Sequence, residues 1–199
     1  MSDLAEEYES SGYGHVADAL IYREGAEVRE QYGLPGAADS HRDAAGEYAQ
    51  AAADLSKAAY QREIDLEIDE ADQDHTLSAA LHLRAAEEYA KAGDYEHAVQ
   101  EAEEAAGEYQ RAAKLNEDEG ESGEPEIPHY QAAGAYRVLA RLHEEAAARE
   151  RWRATELEAD GERGEAAAAR RRANREAKAG EKARQKAREQ QETAEAGSG

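Results

Sequence analysis

The stretch that decides this fold is AEEYAKAGDYEHAV, residues 86–99 of a chain of 199 residues. Alanine and glutamate make up seven of its fourteen residues, and both favour helix. Gly93 and Asp94 interrupt it, because glycine permits the left-handed backbone of a helix end and aspartate caps the start of the next helix. The stretch therefore predicts two helices, 76–92 and 95–116, that fold back on each other through a tight turn.

Helix-breaking residues also divide the rest of the chain into helices, because Pro occurs only three times and Gly is clustered at a few positions. The predicted helices cover residues 2–10, 14–32, 38–71, 76–92, 95–116 and 129–159. The loop 116–128 holds six acidic residues and two prolines, which oppose helix. Asp54-Leu55-Ser56 fits either a helix interior or a stop followed by a new cap, so the continuity of helix 38–71 stays open.

A short motif that ends in tyrosine recurs along the chain. Its copies end at Tyr8, Tyr48, Tyr89 and Tyr136, at spacings of 40, 41 and 47 residues, and a further copy ends at Tyr109. A period of about 20 to 50 residues indicates stacked helical units. Small residues let neighbouring helices approach closely, and a tyrosine one turn later fills the gap. We interpret these tyrosines as packing between helices.

Residues 86–105 resemble a tetratricopeptide repeat in the order A-x-x-Y-x-K-x-G-D-Y-x-x-A-V-x5-A. The longer repeat of this chain, about 40 residues, is similar to that of the vesicle-fusion SNAP adaptors. Two positions depart from the family pattern, since His82 stands at its large aromatic residue and Gln110 at its closing proline. The resemblance implies an all-α fold of stacked antiparallel helical hairpins, tetratricopeptide-like, with a charged C-terminal helix or tail.

The resemblance also implies a concave face, formed by the first helix of each hairpin, that holds an extended peptide or a helix of a partner protein. The best-matched unit places Arg84, Glu87 and Lys91 on this face, and the other units add Arg42, Gln50 and Arg137. An ordinary solvated helix surface is the alternative interpretation of each side chain.

The composition is strongly acidic, with 46 acidic against 24 basic residues and a net charge of -22. The acidic residues are spread over every predicted element, and the basic ones are mostly arginine. One interpretation is that this acidity is directed at a basic partner. We favour another, because the pattern resembles that of proteins from halophilic archaea, whose acidic surfaces stay hydrated in a salt-rich cytoplasm. A charge of that origin would carry no information about the partner.

Several classes of function have no support in the sequence. Cysteine is absent, which excludes disulfides and thiolate chemistry. No stretch approaches the roughly 20 apolar residues of a membrane span. The acidic N-terminus differs from the basic and then apolar start of a signal peptide. We therefore expect a cytoplasmic protein that does not bind membranes.

The segment after Leu157 contains no large apolar residue. We expect a domain over 1–160, which includes the acidic loop 116–128, and a basic, Ala/Arg-rich solvated helix or disordered tail over 161–199. The segment from Arg163 to Arg188 contains ten basic residues and only three glutamates. The cations singled out in this tail are Arg170, Arg171, Arg172, Arg175, Lys178, Lys182 and Lys186. They suit phosphate neutralisation on nucleic acid, a strap on the acidic body, or plain solvation.

Motifs of enzymes and cofactor sites are missing, including phosphate-binding loops and His-Glu-x-x-His. Three acid-x-x-His pairs occur, Asp72 with His75, Asp94 with His97 and Glu126 with His129. Each falls at a predicted helix start, where an acidic residue favours the helix dipole, so capping explains them better than a metal site. We predict no metal, no cofactor and no catalytic residue. The remaining histidines, His15, His41, His82 and His143, are interpreted as partly exposed surface residues.

Trp152 is the only tryptophan and stands among Arg149, Arg151 and Arg153. It is either a partner anchor or, as we favour, a buried residue that closes the stack together with Leu157. The function we predict is a non-enzymatic scaffold or adaptor for another protein. The alternative is a structural protein associated with nucleic acid or a virion, which contacts its partner through the basic tail.

Overall fold

The computed structural model describes residues 3–119 and 126–197, and over these ranges the chain forms six helices and no strand. The helices are α1 (Asp3–Gln31), α2 (Ala37–Asp65), α3 (Ile68–Lys91), α4 (Tyr95–Glu119), α5 (Glu126–Ala159) and α6 (Arg163–Gly197). Each helix packs mainly on its neighbours in chain order, so α1 and α6 form the two ends of a stack. The prediction of an all-α fold of stacked helical hairpins is confirmed.

In the described residues, tight turns with left-handed backbone connect α1 to α2, α2 to α3, α3 to α4 and α5 to α6. The glycines with positive φ are Gly33, Gly36, Gly93 and Gly161. The turn predicted between α3 and α4 is present, with φ of 76° at Gly93 and a hydrogen bond of 2.8 Å from the N–H of Asp94 to the carbonyl of Tyr89. Leu66, with φ of 63°, ends α2 in the same conformation without being a glycine.

Alanine makes most of the described core, together with four leucines and three tyrosines. Tyr48, Tyr109 and Tyr136 are buried between helices, which confirms the packing role predicted for them. The contacts between helices are close because small residues line them. At Gly12, a Cβ atom would lie 3.3 Å from the carbonyl oxygen of Ala51 on the neighbouring helix. The core therefore depends on short interhelix distances rather than on large side chains.

Three predicted helix boundaries are wrong. α1 runs through Ser11-Gly12 without a break, because Gly12 serves the contact with α2 and leaves the helix intact. The predicted helix 38–71 is two helices, which separate at Leu66 and not at Asp54. The residues 72–74, expected as a loop, lie inside α3.

The acidic loop is shorter than predicted at both ends. α4 continues to Glu119 and α5 already begins at Glu126, where Pro128 is accommodated in the first turn because that position needs no helical N–H donor. Residues 120–125 lie outside the described residues. The described part of the predicted loop 116–128 is thus helical.

The C-terminal segment packs on the core, contrary to the expectation that it stays solvated. The buried residues of α6 are Ala166, Ala169, Ala173, Gly180, Ala183, Ala187 and Ala194. They face α5, and Ala183 and Ala187 join the cluster that contains Tyr136 and Leu139. The prediction failed because it required large apolar side chains, whereas a stripe of alanines suffices at close helix spacing. The division of the chain at residue 160 stays a prediction.

The interpretation of His15, His41, His82 and His143 as partly exposed surface residues is wrong for three of the four. His41, His82 and His143 are buried, and His15 is half-buried. His75, a member of one acid-x-x-His pair, is buried as well. Six of the seven histidines form hydrogen bonds to a neighbouring helix. Their partners are Glu47 for His15, Glu88 for His41, Glu108 for His75, Glu101 for His82, Gln190 for His129 and Glu176 for His143. Hydrogen bonding explains their burial in the stack.

Candidate functional site

A wide groove lies where the start of α4 meets the C-terminal half of α5, with α6 beside it. Its volume is about 860 Å³, which is within the range of about 300–1,000 Å³ typical of ligand sites. The residues that line it include Arg42, Asp94, Tyr95, His143, Arg149, Glu150, Trp152, Arg153, Glu156, Arg172 and Glu176. Four helices therefore contribute side chains to one concave surface, which we call the Trp152 groove.

The turn between α3 and α4 forms one wall of the Trp152 groove. Arg149 of α5 reaches this turn, donates a hydrogen bond to the carbonyl oxygen of Gly93, and lies over the ring of Tyr95 at 5.7 Å from its centroid. A Cβ atom on Gly93 would lie 3.0 Å from the Arg149 guanidinium. Glycine is thus needed here for the backbone conformation and for the approach of Arg149.

Trp152 of α5 also lines the groove and is 64% exposed. The favoured sequence interpretation, in which it is buried and closes the stack with Leu157, is wrong. Position 152 of α5 points away from the residues that pack on α6, since the buried side chain in this turn is Ala154. A large indole in water at the edge of a groove is the typical environment of an interface anchor.

Most charges of the groove are paired within the protein. Arg172 contacts Glu150 at 2.9 Å, and His143 contacts Glu176 at 2.8 Å. Arg42 lies 2.8 Å from Asp39 and 3.9 Å from Asp94. Arg153 is exposed and forms no hydrogen bond or ion pair with any described residue. The groove therefore presents one available guanidinium next to one available indole, and Glu96 and Glu156, which also line it, have no side-chain partner among the described residues either.

Of the six side chains predicted to bind a partner, Arg42 lines the Trp152 groove and the other five do not. Arg84 pairs with Glu87 at 3.3 Å on the exposed face of α3. The others are also engaged: Lys91 with Glu88 at 2.7 Å, Gln50 with Asp54 at 3.2 Å, and Arg137 with Gln191 at 2.6 Å. Their role in partner binding stays a prediction.

The basic residues of α6 divide into two groups. Several hold α6 to α5: Arg170 contacts Glu158 at 2.5 Å, Arg172 contacts Glu150, Arg184 contacts Glu144, and Lys186 lies over the ring of Tyr136 at 5.1 Å. A second group is exposed on the side away from the buried alanines, namely Arg171, Arg175, Lys178 and Lys182. The first group attaches α6 to the acidic helices, as one of the sequence interpretations predicted. The second group forms a basic stripe that is exposed to solvent.

The cluster of buried ionisable groups that most resembles a catalytic site lies between α3 and α4. His75 contacts Glu108 at 2.5 Å and Glu63 at 2.7 Å. Burial opposes the charged imidazole, but the hydrogen bonds and charges of Glu108 and Glu63 raise the pKa of His75. Burial likewise opposes the charged Glu108, while His75 and Arg111 lower the pKa of its carboxyl. The pair is therefore an ion pair that joins two helices.

A second buried pair joins the first three helices. Arg62 of α2 contacts Asp74 of α3 at 2.5 Å and Glu9 of α1 at 3.0 Å. Burial is the dominant influence on Asp74 and raises the pKa of its carboxyl to about 6, although Arg62 acts in the opposite direction. Both buried pairs connect helices and lie away from the Trp152 groove, so we assign them a structural role.

The acid-x-x-His pairs differ in their contacts. Asp94 accepts hydrogen bonds from the N–H of His97 and from its ring, which is the predicted capping. His75 instead pairs with Glu108, and His129 pairs with Gln190 and Glu117. Over residues 3–119 and 126–197 no group of three His, Asp or Glu side chains is arranged to hold a metal ion.

The comparisons with known proteins concern the fold. No protein-family model matches the chain, and no curated protein matches it significantly. Among solved structures, a de novo designed helical repeat protein is similar over 97% of this chain and 98% of its own, with 20% sequence identity and a TM-score of 0.44. In the described part of the chain, no helix has the length and apolar character required to cross a membrane.

Proposed function

We propose that the protein is a non-enzymatic scaffold or adaptor that holds a segment of another protein in the Trp152 groove. The observation that carries this proposal is the solvent-exposed indole of Trp152 beside the available guanidinium of Arg153, in a groove that four helices line. Tryptophan and arginine are the residue types most enriched among the dominant contacts of protein interfaces.

The groove would select a segment with an apolar residue next to an acidic one. The apolar residue would pack on Trp152, where burying the indole releases water from a large apolar surface. The acidic residue would pair with Arg153, whose planar guanidinium suits a carboxylate. Arg149 is already fixed over Tyr95 and on the Gly93 carbonyl, so it contributes a preformed wall at little entropic cost.

The tetratricopeptide resemblance and the halophile-type acidity remain parts of this proposal. The turn at Gly93-Asp94 is the best-matched part of that resemblance, and it is also the wall of the groove. The proposed compartment is the cytoplasm. A salt-rich cytoplasm would weaken an ion pair with Arg153 more than the packing on Trp152, because salt screens exposed charges.

The test is capture from native lysate with the full-length protein and three variants. Trp152→Ala and Arg153→Glu alter the groove, while Arg151→Glu is the matched control, because Arg151 is an exposed neighbour that does not line it. We expect Trp152→Ala to weaken a specific complex by about 30-fold, the effect of losing a dominant contact of about 2 kcal/mol. Equal capture by all four proteins would contradict the groove as the binding site.

A second candidate function is nucleic-acid binding by the basic stripe of α6, formed by Arg171, Arg175, Lys178 and Lys182. The observation in its favour is that these four cations are exposed on one face and have no ion pair within the described ranges. Phosphate contacts of this kind weaken steeply with salt. Nuclease-sensitive capture that is lost when the four residues are changed to glutamine would favour this function over the scaffold.

A further inference from the structure

The outer face of α1, at one end of the stack, is apolar and uncovered. Its exposed apolar side chains include Tyr13, Leu20, Ile21, Val28 and Tyr32, and Ile21 is 67% exposed. The opposite face of the same helix packs on α2 through small residues, among them Ala19 and Ala26. α1 is thus apolar on both sides, although within the described chain it has one main neighbour.

Exposed ends of helical stacks are usually polar, because an uncovered apolar face favours association. α6 follows this rule at the other end, where its outward side carries the basic stripe. α1 does not follow it. Ile21 and Val28, with Leu34 of the following turn, also border a shallow depression of about 470 Å³, which Glu24 and Arg29 line as well.

The unpaired charges around this apolar face are acidic. Asp18 and Glu24 are exposed on α1 and form no ion pair with a described residue, whereas Glu27, also exposed, lies 3.5 Å from Arg23. The two arginines of the helix are engaged within the protein: Arg23 also donates a hydrogen bond to the hydroxyl of Tyr48 at 3.4 Å, and Arg29 donates one to the hydroxyl of Ser40 at 2.7 Å. An incoming surface therefore meets apolar side chains with an acidic rim.

We propose that the outer face of α1 docks a basic amphipathic helix of another protein. The apolar face of that helix would cover Ile21 and Val28, and its flanking lysines or arginines would face Asp18, Glu24 and Glu27. Tyr13 to Tyr32 span about 28 Å at about 1.5 Å per residue, so a partner helix of about 20 residues fits.

A second copy of this chain matches the surface less well. If two α1 helices met, the acidic rim of each would face the other, and like charges at an interface are unfavourable. The outward stripe of α6 has the complementary charge but no apolar side chain to cover Ile21. The surface is separate from the Trp152 groove, which contains no residue of α1, so this proposal does not depend on the proposed function.

Two synthetic peptides of about 20 residues test the proposal. They share one leucine face at helical spacing, and their other positions carry lysine in one peptide and glutamate in the other. Fluorescence anisotropy with the full-length protein would measure both affinities. We expect the lysine peptide to bind and the glutamate peptide not to bind.

Because a protein this acidic attracts any cationic peptide, the variants decide the result. Ile21→Ser with Val28→Ser leaves the net charge unchanged and is expected to weaken the lysine peptide at least about tenfold. Ile64→Ser, an exposed isoleucine on α2, is the control and should leave binding unchanged. Asp18→Lys with Glu24→Lys should transfer the preference to the glutamate peptide. Circular dichroism confirms that each variant remains helical.

Three outcomes would overturn the proposal. Equal binding of the lysine peptide to the wild type and to the Ile21/Val28 variant would place that peptide elsewhere. Equal affinity for both peptides would remove the role of the acidic rim. A dimer in sedimentation experiments that the Ile21/Val28 variant abolishes would show that a second copy covers this face.

Discussion

His75 and Glu108 show how a single pair of residues fixes the distance between two helices. The two side chains are buried, 2.5 Å apart, and Ser56 and Arg111 donate further hydrogen bonds to the same carboxylate. A buried ion pair adds little net stability over an apolar pair, but removing one partner is costly because the other charge stays buried. Such pairs therefore specify which helices meet.

Glu108→Gln is expected to lower the free energy of unfolding by about 3 kcal/mol near pH 6, because it leaves the charge of His75 without its main partner. The pKa of His75 is raised, so its contribution is complete below its ordinary value of 6.5 and is lost as the pH rises through the raised value. The pKa of Glu108 is lowered, so its contribution is complete above 4.5 and is lost as the pH falls through the lowered value. Urea unfolding of both proteins across pH measures this difference in stability.

The difference in stability between wild type and Glu108→Gln should thus be largest between pH 4.5 and 6.5 and smaller in alkaline solution. Asp74, whose own pKa is raised, is present in both proteins and cancels. His97→Gln is the control, since His97 is exposed and pairs with Asp94 at a helix start, where a pair contributes less than about 1 kcal/mol. A difference that is the same at every pH would contradict the ion pair.

Among the helices, α6 shows how an element without large apolar residues can still pack. Its small residues face α5, and at Gly180 a Cβ atom would lie 3.3 Å from the carbonyl oxygen of Ala140. That oxygen belongs to the backbone of α5 and cannot move aside as a side chain can. The close contact therefore explains why glycine occupies the middle of a long helix despite its cost there.

Gly180→Val is expected to lower the free energy of unfolding by about 1–3 kcal/mol, because the added methyl groups separate α5 from α6. Gly134→Val is the matched control: it lies within α5, where a Cβ atom meets nothing within 4 Å. Valine and glycine differ by less than about 0.5 kcal/mol in helix propensity, so that variant should be nearly neutral or slightly stabilised. Equal stability of the two variants in thermal unfolding would contradict the packing of α6.

A chain that ends at Glu162 tests the same contact for the whole element. Its loss uncovers Tyr136, Leu139 and Ala140, which are buried in the intact stack, so we expect a lower urea midpoint and a smaller slope of unfolding free energy against urea. If residues 161–199 were instead a solvated tail, as the sequence suggested, the midpoint would not change.

For the whole molecule, the stack combines a largely acidic surface with the basic stripe of α6 and with two surfaces that expose large apolar side chains. The Trp152 groove joins four helices around an exposed indole, and the outer face of α1 is apolar with an acidic rim. These two surfaces use different helices, so if both proposals hold, one stack would bind two partners at once. The acidic remainder keeps the protein hydrated and disfavours association with other acidic proteins.

Local signals predicted the helices, the turn at Gly93-Asp94 and the packing of Tyr48 and Tyr136, because helix propensity, capping and periodicity depend on neighbouring residues. The burial of His41 and the contact of α6 were not predictable in this way. They depend on which helix faces which, and the partner of His41, Glu88, is 47 positions away in the chain.

The exposure of Trp152 could not be derived from the sequence for a related reason. An aromatic residue near the end of a helix is compatible with closing a core or with facing solvent, and α6 decides between the two by covering the other side of α5. The arginines at positions 149 and 153 were the available signal, since a buried aromatic residue is rarely surrounded by charges.

The emission of Trp152 is the most direct test of the scaffold proposal, because it is the only tryptophan of the chain and lies in the groove itself. The binding segment of the partner captured from lysate would be synthesised without tryptophan. This peptide would then be titrated into the full-length protein. The account predicts the red emission and ready acrylamide quenching of an indole in water, followed by a blue shift and protection as the segment binds. Binding that leaves both the emission and the quenching of Trp152 unchanged would contradict the groove as the site.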